Sequence, residues 1–236
     1  MVEDQIFTEA ARLFAERGFA GTNLQDIADA MGMTRPALYY YVKSKDELLA
    51  RLVTETTEAP AVEIKRLAND PNADAAVRLR GVAQAMALRR ATDPYRFQLL
   101  LRSEADLSPD LARSHRAAQR AALRELILLI EEGIEKGQFR PVDPRTTALA
   151  VIGMCNWIAW WQHSLGEKSP AEVAELIADL AVTMVRQPDG HVPGAAGPQG
   201  AIAQLRADLD YLERVLDQQS QSASTEKKPK TRHHSR

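Results

Sequence analysis

Residues 22–49 read TNLQDIADAMGMTRPALYYYVKSKDELL, and three helix-start signals follow one another within them. Thr22 and Gln25 have the spacing of a capping box, after which Leu24, Ile27, Ala28 and Met31 fall on one helical face. Gly32 is placed to stop that helix, because glycine enters the left-handed region without a Cβ penalty. Two residues on, Thr34 can cap a second helix that carries Pro36 in its first turn, where the missing backbone N–H costs little. Ser44 and Glu47 repeat the S-x-x-E spacing, so a long helix is predicted from Lys45. Helix, tight turn, short helix and long helix in this order predict a helix-turn-helix.

In such a unit the second helix lays its N-terminal side chains on base edges in the major groove, while flanking groups hold phosphates. Thr34 and Arg35 sit at that entry, and the planar fork of Arg35 matches guanine O6 and N7. Lys45 opens the long helix, where an ammonium beside free N–H groups suits a phosphate. Tyr39, Tyr40 and Tyr41 can give hydroxyls to phosphates or rest rings on sugars, with one of the three turned inward to close a small core. The competing reading is that the same geometry is inert packing. Residues 1–50 hold more Asp and Glu than Lys and Arg, so the positive charge is confined to a short edge of Arg35, Lys43 and Lys45. Binding there is expected to weaken steeply with salt.

The pattern of Thr22, Ile27, Ala28, Thr34, Leu38, Tyr39, Lys45 and Leu48, with the run LYYYVKSKDELL, resembles the N-terminal domain of TetR-family bacterial transcriptional regulators. The likeness covers roughly the first fifty residues. It implies a homodimer of helical subunits that represses transcription until a small molecule binds the C-terminal domain. By position, Thr22, Arg35, Tyr39, Tyr40, Tyr41 and Lys45 match the family's DNA-contacting places, and Thr34, Pro36 and Lys43 complete the candidate set. Pro36 stands where many members have Gly, and Tyr41 where many have His.

The remaining composition is ordinary: 236 residues, 45% hydrophobic, 26% charged, formal net charge -2. Near-neutral charge gives no support of its own to nucleic-acid binding, which rests on the motif. A single cysteine, Cys155, excludes an intramolecular disulfide and suits a reducing compartment. No leader-like apolar run and no membrane span is read, so a cytoplasmic location is expected.

Upstream of the motif, residues 2–17 carry Ile6, Phe7, Ala10, Ala11, Leu13 and Phe14 at helical spacing and stop at Gly18. Downstream, Pro60 should kink or end the long helix. Asp70-Pro71 and Asp93-Pro94 break helices, while Ser108-Pro109, Asp143-Pro144 and Ser169-Pro170 read as N-caps followed by proline at the first helical position. No alternating apolar pattern suggests a strand. The fold class is therefore all-α: a three-helix N-terminal DNA-binding domain over 1–46, a helical ligand-binding and dimerisation domain of about five helices over 47–187, and an extra C-terminal helix.

Residues 147–165, TALAVIGMCNWIAWWQHSL, are apolar on nearly every helical face. A helix of that kind must be covered on nearly every side, which suggests one face in its own core and another against a partner copy. Val151, Cys155 and Ala159 are the interface candidates here, joined by Val173, Ile177, Leu180 and Met184 of the next helix. Plain monomer core is the alternative. The run NWIAWW, after the upstream FRPVDP, also resembles the C-terminal domain of a TetR subgroup that includes regulators of lipid and sterol breakdown. Some of that subgroup respond to acyl-CoA thioesters, although QHSLGEKS after Trp161 departs from its usual tyrosine, proline and glycine pattern.

A small apolar ligand needs apolar walls with a few fixing polar groups. Candidate walls are Met86, Tyr95, Phe97 and Leu101, then Leu126 and Ile130, then Met154, Trp157 and Trp161. Candidate polar groups are Arg89, Arg90, Arg102, His115 and Asn156. The competing reading makes the aromatics core and the arginines solvated faces. His115 and His163 lack companions at metal-ligand spacing, so no metal and no cofactor is expected.

Residues 188–200 read as a Pro/Gly linker, and 201–218 as a short helix with an a/d-like seam of Ile202, Leu205, Leu209, Leu212 and Leu216. Residues 219–236 read as a basic disordered tail. The sequence thus points to a DNA-binding regulator acting as a homodimer on a near-palindromic duplex operator. The expected regulator is a repressor released by a small apolar ligand such as a fatty-acyl or sterol-derived CoA ester. A ligand-independent regulator or an activator is the alternative, and from another class a helical enzyme or carrier working at Trp157, which no Ser/His/Asp set, phosphate loop or paired carboxylates supports.

Overall fold

Each helix of the chain begins or ends on a residue that the sequence marks. In the computed structural model the described residues are 2–161 and 168–187, with Ile202, Leu205, Arg206 and Leu209 beyond them, and Glu104 in backbone only. Among these, nine α-helices follow in order: α1 (Val2–Arg17), α2 (Leu24–Ala30), α3 (Arg35–Tyr39), α4 (Lys45–Ala68), α5 (Ala75–Thr92), α6 (Pro94–Arg102), α7 (Pro109–Glu135), α8 (Pro144–Trp161) and α9 (Pro170–Val185). A 3-10 turn at Glu104–Asp106 joins α6 to α7. The fold is all-α as expected; the β pairing among the described residues is an isolated bridge between Phe139 and Arg186.

The proline punctuation acts as read. Asp93, Ser108 and Asp143 accept backbone N–H groups from Arg96 at 3.3 Å, Leu111 at 3.4 Å and Thr146 at 2.7 Å. Ser169 and Glu172 form a reciprocal capping box. Two other starts are corrections. The cap of α2 is Asn23 and not Thr22: Asn23 accepts from Asp26 N at 3.0 Å, and the Asp26 carboxylate accepts from Asn23 N at 2.7 Å. Ser44 does cap α4 by accepting from Glu47 N, but the Glu47 carboxylate accepts from Lys43 N one residue earlier than a strict box requires. Pro60 does not end α4, which runs through it to Ala68.

Two hydrophobic cores hold these helices. The first gathers Ile6, Ala10 and Phe14 of α1, Ile27 of α2, Leu38 of α3 and Leu52 of α4, and also takes Leu99 and Leu100 of α6. The second gathers Leu79 and Val82 of α5, Leu126 and Ile130 of α7, Val151 of α8 and Ala178 of α9. The first half of α4 belongs to one core, and Ile64 and Ala68 belong to the other. Burying a Leu, Ile or Phe side chain is worth about 1.5–3 kcal/mol, so these clusters dominate the folding energy.

The second core has two local ties. Gly137 at φ 68 ends α7 in a Schellman turn, with Gln138 N donating to Gly133 O at 2.8 Å. The chain then doubles back, and the Phe139 ring lies so near Gly133 that a Cβ there would come within 2.2 Å of it. Arg78 makes the other tie, a two-pronged pair with Glu132 at 2.7 and 3.0 Å. Arg78 and Lys136 hold the Glu132 carboxyl well below its ordinary range, at about 2.

The interface candidates need correcting. Val151, Cys155 and Ala159 are buried inside this single chain, as are Val173 and Ile177, because that stripe of α8 and α9 is the one that packs on α5. Burial raises the Cys155 thiol to about 12, which leaves it un-ionised at neutral pH. What stays uncovered is the other face: Leu149, Gly153, Trp157 and Trp160 of α8, with Leu176 and Leu180 of α9. Leu180 was a candidate and lies on this open face, while Met184 is half-buried. Trp157 is 63% exposed and stacks on Trp160 with ring centroids 5.5 Å apart.

Contacts divide the chain into residues 1–186 and 187–236. In the latter, Ile202, Leu205 and Leu209 are helical and exposed. The expected linker over 188–200, the rest of the helix over 201–218, the tail over 219–236 and His163 lie outside the described residues.

Candidate nucleic-acid interface and ligand cavity

The turn between α2 and α3 is fixed by backbone bonds. Gly32, at φ 63, donates to Asp29 O at 3.1 Å, and Met33 donates to Ala28 O at 2.9 Å, the paired bonds of a Schellman cap. Thr34 then caps α3 by accepting from Ala37 N at 3.4 Å. α3 has five residues, of which Leu38 is the buried one, so its other faces look outward. Arg35, Pro36, Tyr39 and Tyr40 are exposed, Tyr40 by 86%. Arg35 donates to the Tyr39 hydroxyl at 3.0 Å and lies 5.5 Å from its ring centroid, so the two side chains form one edge. Tyr41 is the tyrosine that turns inward, half-buried against the first core with its ring edge-on to Tyr40 at 5.3 Å. Lys43 is exposed.

Two candidates are placed differently. Thr22 is 1% exposed, and its hydroxyl donates to Gly18 O at 3.0 Å, so its side chain does not reach the surface. The Lys45 ammonium donates to Phe19 O at 2.8 Å and Thr22 O at 2.9 Å and lies 4.3 Å above the Phe19 ring. Two of its three donors are thus used to clamp the loop after α1 to the start of α4. Both residues shape the platform under α3. The free edge is made of Thr34, Arg35, Tyr39, Tyr40 and Lys43: a guanidinium, an ammonium and hydroxyls, the donor types that hold phosphates and read bases.

A cavity of about 360 Å3 lies among α4, α5, α6, α7 and α8. Ile64, Met86, Phe97, Leu100, Leu123 and Ile152 give it apolar walls, and its polar groups are Thr56, Thr57, Arg90, His115, Gln119, Arg120 and Asn156. His115 is buried, with Nδ1 3.1 Å from the Thr57 hydroxyl and Nε2 2.8 Å from the Gln119 amide. Arg90 donates to Asn156 Oδ1 at 3.3 Å and lies 4.2 Å over the Phe97 ring. On the other side of Arg90 and Phe97 is a second hollow, of about 340 Å3, lined by Glu55, Glu63, Arg89 and Arg96. There Arg89 pairs with Glu63 at 2.8 Å and Arg96 with Glu55 at 3.0 Å.

Of the candidates read from the sequence, the cavity brings together Met86, Arg90, Phe97, His115 and Asn156, and Arg89 lines the neighbouring hollow. The others lie elsewhere. Tyr95 packs on the first core, Leu101 is exposed, and Arg102 donates to Ala15 O of α1. Leu126 and Ile130 are in the second core, Met154 and Trp161 pack against it, and Trp157 is exposed. Sequence reasoning missed Thr57, Pro60, Ile64, Leu100, Gln119, Leu123 and Ile152. Their signal is the recurrence of polar and apolar residues at i, i+4 and i+7 or i+8, as in His115, Gln119, Leu123 of α7 and Thr57, Ala61, Ile64 of α4.

Comparison with known proteins bears on both halves. Residues 6–52 match the model of bacterial regulatory proteins of the tetR family, and residues 72–185 match that of the tetracyclin repressor-like C-terminal domain. The chain belongs to the TetR family. It is a DNA-binding transcriptional regulator of that family, whose members act on transcription and not as catalysts. The HTH-type transcriptional repressor KstR2 of Mycobacterium tuberculosis is 30% identical over 135 residues, which is 56% of this chain and 66% of that relative. Among solved structures, a tetR-family regulatory protein of Rhodococcus RHA1 is 25% identical, with a TM-score of 0.66 over 80% of this chain and 99% of that one. AibR, solved with isovaleryl coenzyme A and operator DNA, is 27% identical, with a TM-score of 0.63 over 80% of this chain and all of the other, 100%. No helix among the described residues is long and apolar enough to cross a membrane.

Proposed function

We propose that the protein is a homodimeric repressor that binds a near-palindromic operator through Thr34, Arg35, Tyr39, Tyr40 and Lys43 and is released by a small apolar ligand in the cavity. The observation that carries this reading is that the helices walling the cavity also hold the α3 platform. α6 places Phe97 and Leu100 at the cavity, Leu99 and Leu100 in the first core, and Arg102 on the Ala15 carbonyl of α1. α4 lines the cavity with Thr57, Pro60 and Ile64, and at its other end Lys45 clamps the loop before α2.

Two recognition helices must lie roughly 34–36 Å apart to meet successive major grooves. A ligand that binds better to a different separation shifts the population away from the operator-binding form. The open face of Leu149, Trp157, Trp160, Leu176 and Leu180 supports pairing of two copies, since apolar patches of this kind mark interfaces. Repression, not activation, follows the sense of the KstR2 relative, described as a repressor.

The test is operator release. Selection from random duplexes supplies the operator, and fatty acids, their amides and their CoA esters are then titrated into the complex. Release by one series supports the reading. An operator complex indifferent to all three contradicts ligand control by a molecule of this class.

A further inference from the structure

Of the arginines lining the two hollows, Arg120 is exposed to solvent, whereas Arg90 is half-buried and stands apart. Its neighbours Arg89 and Arg96 each have a glutamate partner, whereas Arg90 has no carboxylate at ion-pair distance among the described residues. Its contacts are the neutral Asn156 amide and the face of Phe97. Burial and the adjacent Arg89 pull the guanidinium down to about 10, so it stays charged at neutral pH without a compensating anion. A charge partly removed from water is costly unless it is paired, and the two glutamates of the second hollow are already engaged by Arg89 and Arg96. The same guanidinium lines both hollows, at the boundary between the apolar chamber and the charged one.

From this geometry we infer that the cavity takes an apolar molecule bearing one anionic oxygen group, which pairs with Arg90 while Asn156 holds the guanidinium in place. The ligand body lies against Ile64, Met86, Leu100, Leu123 and Ile152. Bidentate pairing with a carboxylate or phosphate uses the planar fork of arginine, here on a half-buried guanidinium. Thr57, His115 and Gln119 form a second polar group in the same chamber, so a hydroxyl or carbonyl elsewhere on the ligand also has partners. The inference rests on the ligand-responsive reading and names the chemistry that such a ligand needs.

The test is calorimetric titration of the full chain and of Arg90→Met with decanoate, decanamide and decanoyl-coenzyme A. Arg90→Gln serves as a second variant if Arg90→Met fails to fold. We expect wild type to bind decanoate at least about tenfold more tightly than decanamide, and the variant to lose that preference while keeping its affinity for the amide. If only the thioester binds and the variant weakens it about tenfold, the anion is a phosphate and the pairing stands. Equal binding of acid and amide by wild type, or a preference unchanged in the variant, overturns the anion pairing and leaves an apolar-ligand site intact. Binding of none of the three overturns the pairing and the apolar-ligand reading together.

Discussion

The exposed edge of α3 and the exposed face of α8 and α9 are both rich in aromatic rings, Tyr39 and Tyr40 on one and Trp157 and Trp160 on the other. Their neighbours differ. Around the tyrosines lie Thr34, Arg35 and Lys43, and Arg35 is already bonded to the Tyr39 hydroxyl. On the tryptophans' own helix face lie Leu149 and Gly153, and the exposed face of α9 carries Leu176 and Leu180. The first surface presents donors that stay satisfied against a wet, charged partner; the second presents area that gains only by leaving water. Aromatic content therefore does not say what a surface binds, and the company of each ring does.

Changes that break this contrast should be ordered in size. The largest effect is expected from Trp157→Glu combined with Leu180→Glu, which puts carboxylates on the exposed apolar face proposed to pair two copies. Sedimentation equilibrium should show a folded monomer, and operator affinity should fall with the lost dimer. Next, Arg35→Ala should lower operator affinity about tenfold to a hundredfold and relax base preference at one position. Tyr39→Phe, which deletes one hydroxyl, should cost only a fraction of that in the same binding assay. Gly133→Ala touches neither surface and serves as a control: crowding of Phe139 should lower stability by about 1–3 kcal/mol in chemical denaturation, with operator contacts unchanged.

The smallest effect is the acid limb of stability. Glu132 has a folded pKa near 2, below its ordinary value of about 4.3. Its contribution is present above that ordinary value and is lost as pH falls towards 2. In Glu132→Gln, denaturation between these two pH values should lose part of its slope, a modest part because the carboxylate is a third exposed.

How much of this was legible differs between the two regions for a physical reason. The N-terminal unit is set by contacts a few residues apart, and caps such as Thr34 and Ser44 and the stop at Gly32 are written locally. Even there Thr22 and Asn23 are adjacent cap formers, and what decides between them is the Thr22 hydroxyl bonding back to Leu13 and Gly18, which no local pattern shows. The α8 helix is apolar on most faces, so its hydropathy cannot say which stripe meets α5. Read from the sequence alone, Val151, Cys155 and Ala159 face a partner; in the structure they lie inward. The cavity depends on helix rotation in the same way. Leu100 faces it and Leu101 does not; Asn156 faces it and Trp157 points out. A one-residue step on a helix turns a side chain by about 100°, and tertiary packing fixes which side chain is chosen.

The most direct test is selection of bound duplexes from a random library by the full chain, over a range of salt, with Arg35→Ala in parallel. An inverted repeat with half-sites about 10 base pairs or a multiple apart, weakened by salt and lost in Arg35→Ala, is the expected result. Recovery of no preferred sequence, with Arg35→Ala indistinguishable from wild type, would contradict recognition through α3.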